Sequence, residues 1–258
     1  MLGAIIGDIV GSRFEFNNTQ NRKFQLFHKD CSFTDDTICT VAVADAILRG
    51  SDFGETIREW CLRYPNPMGA YGGSFNAWLH SSNPQPYNSW GNGAAMRVSP
   101  CGWAFKDEAQ TLRAALASAA PTHNHIEGLI GASTVARAIF KLRTMSYPSF
   151  CDGEIYDFVE STYGENWSKD VPARGVFDET CRGCVPLAFF ICHQSNSFED
   201  AIRNAVWHGG DSDTLAAIVG SLAEARWGIP ESMQVKALEY LPEEMKPVIF
   251  NFYDTYIR

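Results

Sequence analysis

The sequence has no basic surface, no long apolar run and no strand pattern, and each absence excludes a class of protein. Its 258 residues carry 21 Lys and Arg against 30 Asp and Glu, a formal net charge of −9. General nucleic-acid binding is not expected, because no basic stripe is available to neutralise phosphates. No stretch approaches the roughly 20 apolar residues that span a bilayer. Gly and Asp interrupt the segment from Leu2 to Val10, which argues against a secretory leader. We therefore expect a cytoplasmic monomer without membrane contact.

Cysteine is present, but not in the pattern of a disulfide framework or a zinc site. The eight cysteines are scattered, at positions 31, 39, 61, 101, 151, 181, 184 and 192. Cys181 and Cys184 form a single CxxC pair with no second pair beside it, so we favour helix packing over zinc binding or redox chemistry. The sequence predicts reduced thiols, as in a cytosolic protein.

Helical periodicity dominates the chain. Apolar residues recur three and four positions apart, and neither alternating strands nor a sustained repeat is found. The sequence predicts one all-α domain over residues 1–258. Helices are predicted around Ile38–Ala46, Ile126–Ser133 and Leu215–Leu222, and near 3–11, 52–63, 106–119, 151–163, 180–193, 198–207 and 231–240.

Two stretches are predicted to be loops. Residues 64–105 are rich in Pro, Gly and Asn, which favours irregular structure with brief helical turns. Residues 164–178 form the second loop. Because a long irregular segment inside a compact domain is usually functional, we expect these loops to line or cover a site.

Two acidic clusters, each directly before an apolar helix, carry the strongest functional signal. They are Thr34-Asp35-Asp36 and Asp211-Ser212-Asp213-Thr214. Asp and Thr before a helix are by default N-caps, but a cap needs one acceptor and each cluster supplies three. Together they offer oxygen ligands without His or Cys, which is the chemistry of Mg²⁺ or Mn²⁺.

The two clusters also suggest how a site could form. If the two helix N-termini face one another, their carboxylates lie across a gap and could share two metal ions about 3.5–4 Å apart. Such a centre can activate a water while holding an anionic or hydroxyl-rich substrate. Gly209 and Gly210 precede the second cluster and would let the backbone approach a ligand closely.

These motifs, with others between them, resemble the ADP-ribosylglycohydrolases, a family that includes the dinitrogenase reductase-activating glycohydrolases. No single motif is specific, but their order along most of the chain is. In order, they are Gly3-Ala4-Ile5-Ile6-Gly7-Asp8 followed by Glu15, Phe33-Thr34-Asp35-Asp36-Thr37, Tyr71-Gly72-Gly73-Ser74, Gly91-Asn92-Gly93-Ala94-Ala95-Met96-Arg97, Thr122-His123, and Gly209-Gly210-Asp211-Ser212-Asp213-Thr214.

The resemblance implies a compact orthogonal bundle of helices with a binuclear Mg²⁺ centre in a cleft. The metal ligands that it implies are Thr34, Asp35, Asp36, Asp211, Asp213 and Thr214. Glu15 matches an acidic residue that the family places beside the metals. The substrate-binding positions that it implies are Gly72, Gly73, Ser74, Ser89, Trp90, Gly91, Asn92, Gly93, His123 and Ser212.

Physical roles follow for several of these residues. There are two Gly-rich loops, a first at Tyr71-Gly72-Gly73-Ser74 and a second at Ser89-Trp90-Gly91-Asn92-Gly93. Both would offer backbone N–H groups to a diphosphate, and Trp90 would either stack on adenine or pack against the protein. His123 matches a family position near the phosphates or ribose, while Met96 and Arg97 are expected to brace the site. Asp36 or Asp211 would take a proton from water, and Glu15 would assist the departing group or gate the cleft.

The expected reaction is hydrolysis of the glycosidic bond between ADP-ribose and a protein side chain, with arginine as the first hypothesis. Serine-linked, nucleobase-linked, poly- or O-acetyl-ADP-ribose remain alternatives. Others are an immunity protein against an ADP-ribosylating toxin and a non-catalytic ADP-ribose-binding protein. Because the first motif lies at the start of the chain, we expect such an immunity protein to reverse the modification rather than block the toxin. Aromatic residues predict a partly apolar rim for the leaving group: Phe16, Phe24, Phe27, Tyr64 and Tyr87.

Overall fold

The computed structural model describes residues 1–144 and 154–257, and most of them are helical. Within these ranges the only bridges are two isolated pairs, Thr34 with Met68 and Gly91 with Thr180, so the predicted all-α class is confirmed. The helices are α1 Leu2–Gly11, α2 Asp35–Arg49, α3 Phe53–Arg63, α4 Gly73–His80, α5 Gly93–Met96, α6 Ser99–Ala104, α7 Glu108–Ala119, α8 Ile126–Thr144, α9 Glu154–Tyr163, α10 Trp167–Asp170, α11 Cys181–Gln194, α12 Phe198–His208, α13 Ser212–Trp227, α14 Glu231–Leu238 and α15 Met245–Tyr256, with a 3₁₀ turn at Ser12–Phe14.

All ten predicted helices are found, with shifted ends. Residues 151–153 of the predicted helix 151–163, including Cys151, lie outside the described residues. Helix α15 was missed, although Met245, Ile249 and Phe252 give it a buried face. Residues 64–105 are more regular than the predicted loop with brief helical turns, because they contain α4, a helix of 8 residues.

The closest helix contact in the fold joins α1 to α13 along a row of glycines four residues apart. A Cβ atom on Gly3 would lie 2.2 Å from the carbonyl oxygen of Gly220, and one on Gly7 would lie 2.0 Å from that of Ala216. One on Gly11 would lie 2.5 Å from Cα of Asp213. Only glycine permits this approach, and it brings the C-terminal end of α1 against the first turn of α13.

A continuous cluster of buried apolar side chains, extending from Met1 to Phe252, surrounds this pair of helices. Helix α2 has buried residues along most of its length, so polar groups at its start are presented from inside the protein. Among the described residues, no helix has the length and apolar character needed to cross a bilayer.

We predict that Gly7→Ala lowers the free energy of unfolding by about 3 kcal/mol, because the new methyl group would overlap backbone atoms of α13. Denaturant unfolding followed by circular dichroism, in EDTA, would measure the change. Gly73→Ala is the matched control, because nothing lies within 4 Å of its added Cβ atom. An equal effect of both substitutions would contradict the close α1–α13 contact.

Candidate metal centre and substrate cleft

The N-termini of α2 and α13 meet, as the sequence predicted. The hydroxyl of Thr214 at the start of α13 lies 3.3 Å from Oδ2 of Asp36 in the first turn of α2. Thr34 is a true N-cap, since its hydroxyl accepts a hydrogen bond from the amide of Asp36 at 3.2 Å. Asp211 occupies the N-cap position of α13 but makes no side-chain capping bond. Capping therefore explains the first cluster in part and leaves the carboxylate of Asp211 free for another role.

Asp8 on α1 lies in the same cluster, and the sequence analysis gave it no role. Its carboxylate accepts hydrogen bonds from the backbone amides of Thr34 and Thr37, at 2.9 and 3.1 Å, and from the hydroxyls of both residues. The Thr34 hydroxyl thus directs its proton to Asp8 and accepts from the amide of Asp36, so one lone pair of its oxygen remains for another partner. The signal was present in the sequence, because Asp8 is the only charged residue in an otherwise apolar helix.

Burial makes this cluster unfavourable when every carboxyl is ionised. Burial raises the pKa of Asp8 to about 6, even though Thr34 and Thr37 donate four hydrogen bonds to its carboxylate, and it raises the pKa of Asp35 to about 8. The pKa values of Asp36 and Asp213 lie well above the usual range, first through burial and then through the neighbouring carboxylates. Burial also raises the pKa of Asp211. Oδ1 of Asp36 and Oδ1 of Asp213 are buried without a hydrogen-bond partner.

The chemistry of the donors fits a hard divalent cation. Carboxylate oxygens of Asp8, Asp36 and Asp213 converge within 4.8 Å of one another, and so do those of Glu15, Asp211 and Asp213. The two groups share Asp213, as expected if one carboxylate serves two positions. Buried carboxylate oxygens that accept no hydrogen bond are stabilised by a cation. A set of ligand atoms that contains only oxygen favours Mg²⁺, Mn²⁺ or Ca²⁺.

Glu15 lies at the edge of the cluster and is only half-buried. Burial and the charges of Asp211, Asp8 and Glu179 raise its pKa to about 7. A Cβ atom on Gly69 would lie 2.6 Å from Oε2 of Glu15, so this turn lies directly against that side chain, and its φ of +81° favours glycine. The next residue, Ala70, also has a positive φ, of 65°. This strained turn keeps one wall of the cleft close to Glu15.

The acidic cluster forms the floor of a cleft with a volume of about 390 Å³. The Gly-rich start of α4 lies on its wall: Gly72, Gly73 and Ser74 line the cleft, and Gly72 caps α4 without a side-chain hydrogen bond. Nothing lies within 4 Å of a Cβ atom added to either glycine, so a ligand can approach this backbone. A helix N-terminus with free N–H groups suits an anion.

The second Gly-rich loop is used differently from our expectation. Ser89 accepts a hydrogen bond from the amide of Gly91 at 3.1 Å, and the amide of Asn92 donates to the carbonyl of Glu179 at 2.7 Å. These two N–H groups are therefore not free for a diphosphate. Instead, Asn92 orients a carboxylate of the acidic cluster, because its Nδ2 donates to Oδ2 of Asp211 at 2.6 Å.

His123 lines the cleft beside Gly93, where an added Cβ atom would lie 3.0 Å from Nε2 of the ring. Burial, and then the charge of Arg97, lowers its pKa well below the usual range, so the ring is neutral. Arg97 Nη2 donates to the hydroxyl of Thr122 at 2.7 Å, and that hydroxyl lies 2.7 Å from His123 Nδ1. If the Thr122 hydroxyl donates to Nδ1, the ring proton is on Nε2, which can donate to a ligand.

Several predicted positions do not face the cleft. Ser212 is fully buried and donates to the carbonyl of Gly11 at 3.2 Å. Trp90 does not line the cleft, and its exposed ring packs edge-on against His125, with ring centroids 5.7 Å apart. Gly209 and Gly210 make close contacts with Asn18 and Val176, not with the cleft. Of the predicted rim residues, Phe16 and Tyr87 line the cleft. Phe24 belongs to the hydrophobic core, and Phe27 and Tyr64 pack against the core.

The CxxC pair supports the second loop from below. The seven described cysteines are buried and form no disulfide with one another. Cys181 donates from its amide to the carbonyl of Trp90 at 3.0 Å and from its thiol to that of Gly91 at 3.1 Å. Asn92 Nδ2 also lies 3.6 Å from Sγ of Cys184. In the structure these two residues therefore hold this loop against the start of α11.

The sequence and the fold match known proteins. A family model described as ADP-ribosylglycohydrolase matches residues 1–252. The mouse ADP-ribosylhydrolase ARH3 is 24% identical over 314 residues, covering 91% of this chain and 85% of its own. The ADP-ribosyl-[dinitrogen reductase] glycohydrolase of Rhodospirillum rubrum is 25% identical over 252 residues, covering 89% and 85%.

A solved structure described as an ADP-ribosylglycohydrolase-related protein complex has the same fold. It superposes with a TM-score of 0.75 at 22% sequence identity, covering 98% of this chain and 95% of its own. A family match over nearly the whole chain, on a fold that positions the motifs around one cleft, decides the assignment. The chain belongs to the ADP-ribosylglycohydrolase family, whose members hydrolyse glycosidic bonds of ADP-ribose.

Proposed function

We propose that this protein hydrolyses the glycosidic bond between ADP-ribose and an arginine side chain of a protein, with two Mg²⁺ ions and with Mn²⁺ as a possible substitute. The observation that carries the proposal is the oxygen-only cluster at the floor of the cleft. It has two buried carboxylate oxygens without donors, and one carboxylate is shared between two groups of ligands. Such a site favours a pair of hard cations.

The ions would be held by the residues that the sequence predicted: Thr34, Asp35, Asp36, Asp211, Asp213 and Thr214. Bound divalent cations lower the pKa of water and offset the charge of the carboxylates. Asp8 supports this set from behind, because it accepts the hydrogen bond of the Thr34 hydroxyl and so leaves one lone pair of that oxygen for an ion.

The remaining residues divide proton transfer and positioning between them. Asp211 is held by Asn92 through Oδ2, so its Oδ1 is available to accept a proton from water, with Asp36 as the alternative base. Glu15 is the least buried carboxylate of the two ligand groups and lines the cleft, where it can protonate the departing nitrogen. The N-terminus of α4 and Nε2 of His123 are the donors that suit the diphosphate.

The test is release of ADP-ribose from an arginine-ADP-ribosylated protein, with a serine-linked substrate in parallel. We expect release from the arginine-linked substrate in Mg²⁺, loss of that release in EDTA, and recovery when Mg²⁺ is added back. A mass-spectrometric assay of free ADP-ribose would measure it. Equal rates with and without EDTA would contradict the metal centre, and faster release from the serine-linked substrate would contradict the choice of arginine.

We predict that Asp213→Asn lowers kcat by more than about 100-fold, since even a residue that only orients a metal ligand contributes about 10- to 100-fold. The same change should raise the melting temperature in EDTA, because it removes a buried charge, and should abolish the stabilisation by Mg²⁺. Asp157→Asn is the control, because it makes the same change of charge at an exposed position on α9. Wild-type turnover by Asp213→Asn would exclude Asp213 as a ligand.

Stability of the metal-free protein should depend on pH. The folded-state pKa values of Asp8, Glu15 and Asp35 are raised to about 6, 7 and 8, whereas these groups titrate near about 4 in the unfolded chain. The unfolded chain therefore loses protons first, and the folded state loses stability as the pH rises through this window. We expect the melting temperature in EDTA to fall between about pH 5 and pH 8, and the gain from Mg²⁺ to grow over the same range. A gain from Mg²⁺ that shrinks as the pH rises would contradict this prediction.

A further inference from the structure

Two aromatic rings are exposed side by side on the wall of the cleft. Phe16 is 75% exposed and Phe177 is 43% exposed, and both line the cleft. Their rings are stacked, with centroids 6.0 Å apart and an interplanar angle of 17°. At this separation a planar group does not fit between the two rings, so a ligand would pack on the outer face of one of them. Exposed apolar surface inside a cleft indicates a binding surface.

Both rings belong to segments that contact Gly210, the residue directly before the acidic cluster at Asp211. Asn18 donates to the carbonyls of Phe14 and Gly210, at 2.7 and 3.0 Å, and accepts from the amide of Gly210 at 2.8 Å. On the other side, the carbonyl oxygen of Val176 lies so close to Gly210 that an added Cβ atom would be 2.4 Å away. Gly210 directly precedes Asp211, so the position of the aromatic pair is fixed relative to the acidic cluster.

The charges around the pair are negative. Glu15 and Glu179 line the cleft, and the charge of Glu179 is among the causes that raise the pKa values of Glu15 and Asp211, so its carboxylate lies on this side. Two cations would neutralise much of the aspartate charge but would leave Glu179 uncompensated. The sole Lys or Arg among the described lining residues is Arg97, which is fully buried near Thr122.

We propose that Phe16, Phe177 and Glu179 form a leaving-group subsite that selects a planar cation, the guanidinium of arginine. A guanidinium stacks on an aromatic face and is attracted by its π electrons, while a carboxylate at the edge supplies the opposite charge. A neutral hydroxyl or ester group gains neither interaction. The inference rests on the proposed function, since it assigns the leaving group of that reaction to one side of the cleft.

The same charges orient the rest of the substrate. A diphosphate would be repelled by Glu15 and Glu179 and is better placed at the N-terminus of α4 and at His123, where N–H donors line the wall. Adenine stacking is the competing use of exposed aromatic rings. It is the less suitable occupant here, because it would bring the diphosphate back toward the two glutamates.

The test compares kcat/KM for arginine-linked and serine-linked ADP-ribose, together with the Kd of free ADP-ribose, in Phe16→Leu, Phe177→Leu and Glu179→Gln. Each variant should lower the arginine-to-serine ratio of kcat/KM by about three- to thirtyfold, mainly through KM for the arginine substrate. Phe16→Tyr keeps the ring and should keep the ratio. Phe250→Leu is the matched control, since Phe250 is 44% exposed on α15 and does not line the cleft.

Three results would overturn the subsite. One is an unchanged ratio in all three variants, and another is a loss shared by both substrates. The third is a weaker Kd for free ADP-ribose that explains the whole effect, which would assign the rings to adenine. If the wild-type protein hydrolyses neither substrate, the proposed function fails, and the subsite is then tested by binding. ADP-ribosyl-arginine should bind more tightly than ADP-ribosyl-serine, and Phe16→Leu should reduce that difference; equal affinities would refute the subsite as well.

Discussion

The contact between α1 and α13 is the constraint on which the rest of the site depends. Gly3, Gly7 and Gly11 remove the side chains that would keep the two helices apart. As a result Asp8 lies against the start of α2, and the first turn of α13 lies against both. A wider spacing would separate carboxylates that now converge within 4.8 Å. Backbone packing at residues without side chains thus sets the geometry of the chemistry.

This geometry brings carboxylates that repel one another close together in the interior of the folded protein. Burial raises the pKa values of several carboxyls in the cluster, and a charged form of each is unfavourable without a cation. A bound cation removes the repulsion and also gains affinity from it, since carboxylates that lack donors bind a metal strongly. Metal binding, protonation and folding are therefore linked through the same residues. The apolar cluster around α1 and α13 supplies the stability that tolerates the repulsion.

The sequence predicted the helices and the acidic clusters because both have local signatures: a spacing of three and four residues, and a run of acceptors before a helix. Asp8 was missed because its role depends on a contact with residues 26 and 29 positions away. The N–H groups of Gly91 and Asn92 were misjudged for the same reason, since their partners are set by tertiary packing. Ser212 shares a motif with the predicted ligands Asp211 and Asp213, but its hydroxyl donates to the carbonyl of Gly11.

The proposed catalytic centre and the proposed leaving-group subsite meet at Gly210. Asp211 follows it directly in the cluster, while Asn18 and Val176 attach to it the segments that carry Phe16 and Phe177. The floor of the cleft comes from helix N-termini in the core, whose positions are fixed by packing. The aromatic side comes from surface segments, on which side chains can vary without moving the floor. A fold of this kind can keep one reaction at the floor while different rims select different leaving groups. On this proposal, the motifs of the floor identify the family, and the linkage is decided by the rim.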